Sequence, residues 1–330
     1  ALGKDFRGNA FIADTGSNLI HRKLLHYEGI QPVARRPEDE QDREFVASTD
    51  NWFRPVQFAN APDGCLYVAD MYRETIEHPW SIPESIKKYL DLDSGNDRGR
   101  IWRIAPKGFK PPGRALPGKV KTAQLVKLLA HANGWTRDCA SRLIYERQDQ
   151  SIVPALISLA ARKENPLGQI HALWALRGLG ALKKEHVLQA MEKTKPEVRV
   201  QAMILAEDFA DQSEVRHTVY AQVSQSDKRV LYQLALTASR LPNSDSKKLA
   251  LAMVLGKAGE DKWIESAVMN AFTDDLGTMW VAIHGAPTVS AAAKLEFLKL
   301  IGRRNRPEEV AKALMVIARR SPNSQTIAWV

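Results

Sequence analysis

Two periodicities divide the chain. Up to about residue 104 apolar positions recur every second residue in short runs, and from Lys119 onward they recur at the helical spacing of three and four. The clearest alternating run is STDNWFRPVQFANAPDGCLYVADMYRETIEHPW, Ser48 to Trp80. In it Val56 and Phe58 alternate with Gln57 and Ala59, Pro62-Asp63-Gly64 supplies turn chemistry, and Leu66 and Val68 alternate with Cys65, Tyr67 and Ala69. This pattern predicts a β-hairpin. Entry and exit of an antiparallel hairpin share one end, so Asn51-Trp52-Phe53-Arg54 and Asp70-Met71-Tyr72-Arg73 are expected to be neighbours.

The hairpin has an internal echo. GNAFIADTGSNLIHR from Gly8 matches GCLYVADMYRETIEH from Gly64 at a constant offset, pairing Asp14 with Asp70. Strand repetition at a period of about 40 to 50 residues is the signature of propeller blades. In the first copy a third strand follows at once, from Leu19 to Leu25. In the second its match is Arg100-Ile101-Trp102-Arg103-Ile104, where Ile101-Trp102-Arg103 echoes Ile20-His21-Arg22, so Met71 to Gly99 is a long insertion. A connection of that length is a place to look for function. Arg54 and the insertion are expected to line one mouth of the propeller, and the mixed-charge segment Arg35 to Glu44 is expected to be a solvated excursion.

After a Pro/Gly linker at 107–118, helix pairs follow one another over 119–330. Second-helix starts near Thr136, Pro166, Pro196 and Asp227 recur at an even spacing of roughly 30 residues, and Asp261 opens a fifth. Proline in the first turn and a preceding aspartate are start signals, while Gly178 and Gly180 are stop signals. Stacked pairs of this length resemble HEAT repeats. The predicted class is therefore multidomain β + α: C-terminal blades of a β-propeller over 1–106, about two of them, then a HEAT/armadillo-like α-solenoid. Two blades do not close a propeller of about four to eight, so the chain reads as a fragment.

Composition changes this picture little: of 330 residues 44% are apolar and 26% charged, an ordinary globular balance. The net charge of +9 lies wholly in one part, with 17 Lys+Arg against 17 Asp+Glu over 1–117 and 30 against 21 over 118–330. A basic half suits an acidic partner, or is a solvated helical surface. No run is long enough for a membrane span. Cys65 and Cys139 fall in different predicted domains, which argues against a disulfide framework or a cysteine metal site. Phosphate loops, His-Glu-x-x-His and Gly-x-Ser-x-Gly motifs do not occur, and no Arg/Lys stripe with interleaved aromatics recommends nucleic acid.

GNAFIADTGSNLIHR, STDNWFRPVQFANAPDGCLYVADMYRETIEHPWSIP and DRGRIWRIAP resemble a family of large secreted proteins of planctomycetes and related bacteria that is named for membrane-bound dehydrogenases. Members of that family join a propeller similar to the pyrroloquinoline-quinone (PQQ) dependent glucose and sorbosone dehydrogenases to HEAT-like repeats. The resemblance covers most of residues 8–106. It implies a periplasmic or secreted oxidoreductase acting on a sugar or polyol, with PQQ and calcium. The haem-attachment motif Cys-x-x-Cys-His, common in the family's C-terminal domain, does not occur.

Quinone-dependent oxidation needs a general base and cations that stabilise the reduced quinone. Arg54 and Arg73 are the candidate cations, with ion pairing of Arg54 to Asp70 or Asp50, and a loop salt bridge for Arg73, as the alternatives. His78, beside Glu77, is the candidate base or metal ligand, or else a loop histidine bonded to backbone. Tyr72 and Trp80 are candidates for a platform that stacks a sugar or a quinone, or for packing of the insertion. Asp14 and Asp70, equivalent in the repeat, are expected to bond turn amides at strand ends, with metal binding as the other reading. No set of metal ligands is assigned. A second hypothesis is a non-catalytic scaffold, its propeller binding carbohydrate or protein and its basic helices an acidic polymer or protein.

Overall fold

The alternation of Ala10 to Ala13 and of Leu19 to His26 folds into strands β1 (Asn9–Asp14) and β2 (Leu19–Glu28), paired antiparallel from Asn9↔Leu24 to Asp14↔Leu19. β3 (Gln31–Arg35) and β4 (Val46–Ala47) both pair with β2, β3 with its far end and β4 with Leu19 and Ile20. A second antiparallel sheet has the order β5 (Pro55–Asn60), β6 (Leu66–Asp70), β7 (Arg100–Ile104). These relations come from a computed structural model that describes residues 2–111, 117–192, 195–259, 261–272 and 275–318. Part of the 107–118 linker and the C-terminal SQTIAWV lie outside the described residues.

The register reproduces the echo. Ala13↔Ile20, Ile12↔His21 and Phe11↔Arg22 in the first sheet correspond to Ala69↔Ile101, Val68↔Trp102 and Tyr67↔Arg103 in the second. Ile20, Phe53 and Val68 form the buried centre, with Phe11, Phe45, Val46, Phe58 and Ile104 packed against it. Val56, expected to point the same way as Phe58, is exposed. The reason is a register shift between Pro55 and Gln57, a bulge that turns one extra residue outward. The insertion between β6 and β7 holds one short helix, α1 (Glu84–Lys87).

The mixed-charge excursion is not solvated throughout. Arg22 and Glu40 are both buried and form an ion pair at 2.9 Å, with the Arg22 guanidinium 5.0 Å from the centre of the Phe6 ring. His21 Nδ1 meets Glu44 at 2.5 Å and Arg36 meets it at 2.8 Å, and these two bonds hold the Glu44 carboxyl below its ordinary range. Sequence polarity misleads here because opposite charges one strand apart neutralise each other and leave solvent together.

Thirteen helices follow among the described residues: α2 (Thr122–Leu128), α3 (Gly134–Arg147), α4 (Val153–Ala160), α5 (Pro166–Gly178), α6 (Lys184–Met191), α7 (Pro196–Ala206), α8 (Ser213–Ala221), α9 (Lys228–Arg240), α10 (Asp245–Ala258), α11 (Lys262–Asn270), α12 (Leu276–His284), α13 (Ala291–Arg304) and α14 (Pro307–Ala318). The start signals act as expected. Pro166 and Pro196 stand in first turns, and the carboxylates of Asp227 and Asp261 accept amides of α9 and α11. Gly180, with φ +67°, follows the end of α5.

Helices pack on their second neighbours, α5 on α7, α7 on α9 and α9 on α11, with α4, α6, α8, α10, α12 and α14 in a parallel series. Side chains about one sequence repeat apart tie neighbouring helices together. Ser141 bonds His171 and Lys184 bonds Glu214, and Arg177 forks onto Asp208. Trp174 donates to Gln201, and Met203 is fully buried. By contact density the chain divides into two compact units, Ala1–Val120 with His131–Cys139, and Lys121–Ala130 with Ala140–Val330.

Candidate functional site

Pairing of Pro55 with Asp70, and of Asp70 with Arg100, brings the start of β5, the end of β6 and the start of β7 to one sheet end. The β1–β2 turn joins them, since Thr15 Oγ1 donates to the Pro55 carbonyl and Asn18 Nδ2 to those of Asn51 and Phe53. Three loops and their aromatic and arginine side chains therefore meet within the first unit.

Asp70 is the hub. Its side chain is fully buried, and its two oxygens divide their work. Oδ1 accepts the backbone N–H groups of Arg54 at 2.8 Å and Tyr72 at 3.0 Å. Oδ2 accepts Arg100 Nε at 3.1 Å and Trp102 Nε1 at 2.9 Å. Burial alone would raise this carboxyl, but the bonds from Trp102, the two amides and Arg100 outweigh it and hold the group below its ordinary value. Asp14, at the equivalent strand end, bonds the Ser17 amide at 2.9 Å, and that bond leads the effects that lower its carboxyl as well. Both carboxylates thus bond turn amides.

Arg54 spends its guanidinium on carbonyl oxygens. Nε donates to Arg73, Nη1 to Thr15 and Gly16, and Nη2 to Glu74. The ion pair to Asp70 or Asp50, the alternative reading for Arg54, is made instead by Arg100, at 3.0 Å and 3.6 Å. Arg73 likewise donates to the carbonyl of Asp93. As placed, the two guanidiniums brace loops through carbonyl oxygens, which leaves their charge in place. His78 is exposed, and its Nδ1 accepts the Trp80 amide at 3.2 Å, capping the turn at Pro79–Ser81. Trp80 itself is 92% exposed.

Tyr72 meets Trp52 and Arg100. The Trp52 and Tyr72 ring centres are 5.6 Å apart at 59°, and the Arg100 guanidinium lies 3.6 Å from the Tyr72 ring centre and 5.0 Å from that of Trp102. The site therefore unites Trp52, Asp70, Tyr72, Arg100 and Trp102, braced by Arg54 and Arg73, with His78 and Trp80 farther along the insertion. Arg100 is the residue that sequence reasoning misses. The signal available is the repeat itself, because Arg100 stands where the first copy has Leu19. Among the described residues no group of three or more His, Cys, Asp or Glu side chains is arranged to hold a metal ion.

Residues 1–108 match the family described as "Domain of unknown function (DUF7133)". That stretch takes in both sheets, the insertion with α1 and every residue of the constellation above, and it stops short of helices α2 to α14. No curated protein matches the chain.

Proposed function

We propose that the two sheets are successive blades of a β-propeller whose loop face binds a carbohydrate, and that the helices form a HEAT-like α-solenoid that docks a partner. The observation that carries this reading is the tilted Trp52–Tyr72 ring pair with Arg100 stacked on Tyr72. Sugars present C–H faces that stack on aromatic rings and hydroxyls that bond planar polar groups. The repeat register supports the blades, and bonds that recur one helical repeat apart support the solenoid. A screen of immobilised oligosaccharides against the full chain tests the binding. Retention that is lost in Trp52→Ala and kept in Trp263→Ala is expected, and equal retention by both variants would overturn the reading.

The motif resemblance favours a second reading, an oxidoreductase of the periplasm or cell exterior acting on the bound sugar or polyol. A quinone supplies the two-electron sink for such chemistry when bound, with calcium as its usual companion. In this reading Trp52 and Tyr72 hold the polyol, and Arg54 and Arg73, braced beside them, supply the cations. Reduction of a dye acceptor by the full chain supplied with PQQ, calcium and a sugar series would support it, and no reduction with any member would remove it. The 30 Lys+Arg against 21 Asp+Glu over 118–330 favour an acidic partner for the helices.

A further inference from the structure

Four described residues other than glycine have positive φ: Asn18, Tyr72, Gln148 and Asn305. Tyr72, at +49°, is the one with a large aromatic ring, and ring-bearing side chains adopt this conformation rarely. Two neighbours hold it there. Asp70 Oδ1 accepts the Tyr72 amide at 3.0 Å. On the other side the Tyr72 carbonyl lies against Gly95, whose own φ is +86°, and any side-chain carbon at Gly95 would fall well inside 3.0 Å of that oxygen. Asp70 also grips Arg100 at 3.0 Å, and Arg100 stacks on the Tyr72 ring at 3.6 Å. One carboxylate therefore fixes both the backbone that aims the ring and the cation that covers it.

We infer that Asp70 and Gly95 are positioning residues that hold the Tyr72 ring in its binding orientation before the ligand arrives. This rests on the reading of the loop face as a carbohydrate site, which it deepens by assigning the strained backbone a task. Gly95 supplies room for the Tyr72 carbonyl, and Asp70 supplies the bond that a left-handed residue needs at its amide. Neither has to touch the sugar.

The test separates ring position from binding. The full chain is labelled with 3-fluorotyrosine, and the Tyr72 signal among the seven tyrosines is identified by its loss in Tyr72→Phe. In Gly95→Ala and in Asp70→Asn the Tyr72 ¹⁹F signal is expected to move while the other six stay. The dissociation constant for a sugar retained in the binding screen is expected to weaken by about tenfold or more. Asp70→Asn keeps the side chain's shape and serves if Gly95→Ala does not fold. An unmoved Tyr72 signal, a moved signal with unchanged affinity, or collapse of both variants to unfolded spectra would each overturn the inference. If the wild-type chain binds no sugar, the carbohydrate reading fails by itself and the fluorine spectrum still decides whether the pair sets the ring.

Discussion

At the scale of residues, Arg54 and Asp70 carry the account. A guanidinium reaches several carbonyls at fixed angles and an ammonium does not. Arg54→Lys keeps the charge and loses the fork, so it is expected to destabilise the chain by about 2 kcal/mol in urea denaturation. Unchanged stability would show that charge alone matters at this position. Asp70→Asn replaces an acceptor of four bonds with a group that can accept only in part, at an expected cost of about 3 kcal/mol. Because the folded carboxyl lies below its ordinary value of 3.8, this stabilisation is complete above that value and is lost as the pH falls through the lower, folded one. The gap in melting temperature between wild type and Asp70→Asn should therefore be constant from about pH 5 upward and narrow below about pH 4. Of these roles the sequence displays only a part. The repeat pairs Asp14 with Asp70 and so marks both for turn amides, whereas the partners of Arg54 are carbonyls, which every residue owns and no sequence pattern reveals.

Elements are more legible than side-chain partners. Alternation locates β5, β6 and β7, the self-match anticipates their register, and proline and aspartate mark the starts of α5, α7, α9 and α11. Two features escape for physical reasons. The bulge at Val56 shifts the register without any change in composition, and the burial of Glu40 depends on Arg22, which lies well before it in β2. Between helices the energetics are unequal. Leu173 in α5 is fully buried, and Leu173→Ala is expected to cost about 3 kcal/mol. Arg177→Ala removes an exposed fork to Asp208 and is expected to cost less than about 1 kcal/mol. Denaturant titration of the two variants checks the order, and a larger loss at Arg177 would mean that the surface bonds, not the apolar stripe, hold the helices together.

For the whole molecule, the uneven charge is the property to test. All of the +9 excess belongs to 118–330, so retention of the full chain on an anionic polymer should fall steeply with salt if the helices engage an acidic partner. Retention that ignores salt, or none at low salt, would leave the helices without an electrostatic task. The propeller and solenoid readings both follow from repetition, and repetition is what a sequence displays best. The proposed binding site depends on one departure from the repeat, Arg100 in place of Leu19, and on a backbone angle at Tyr72 that no residue pattern announces.

The central claim is that the Trp52–Tyr72–Arg100 constellation binds carbohydrate. Calorimetric titration of an oligosaccharide retained in the screen, into wild type and Trp52→Ala, tests it most directly. The account predicts saturable binding at one site per chain in the wild type and a loss of at least about tenfold in affinity in the variant. Equal affinity in the two proteins would place the carbohydrate elsewhere and contradict the account.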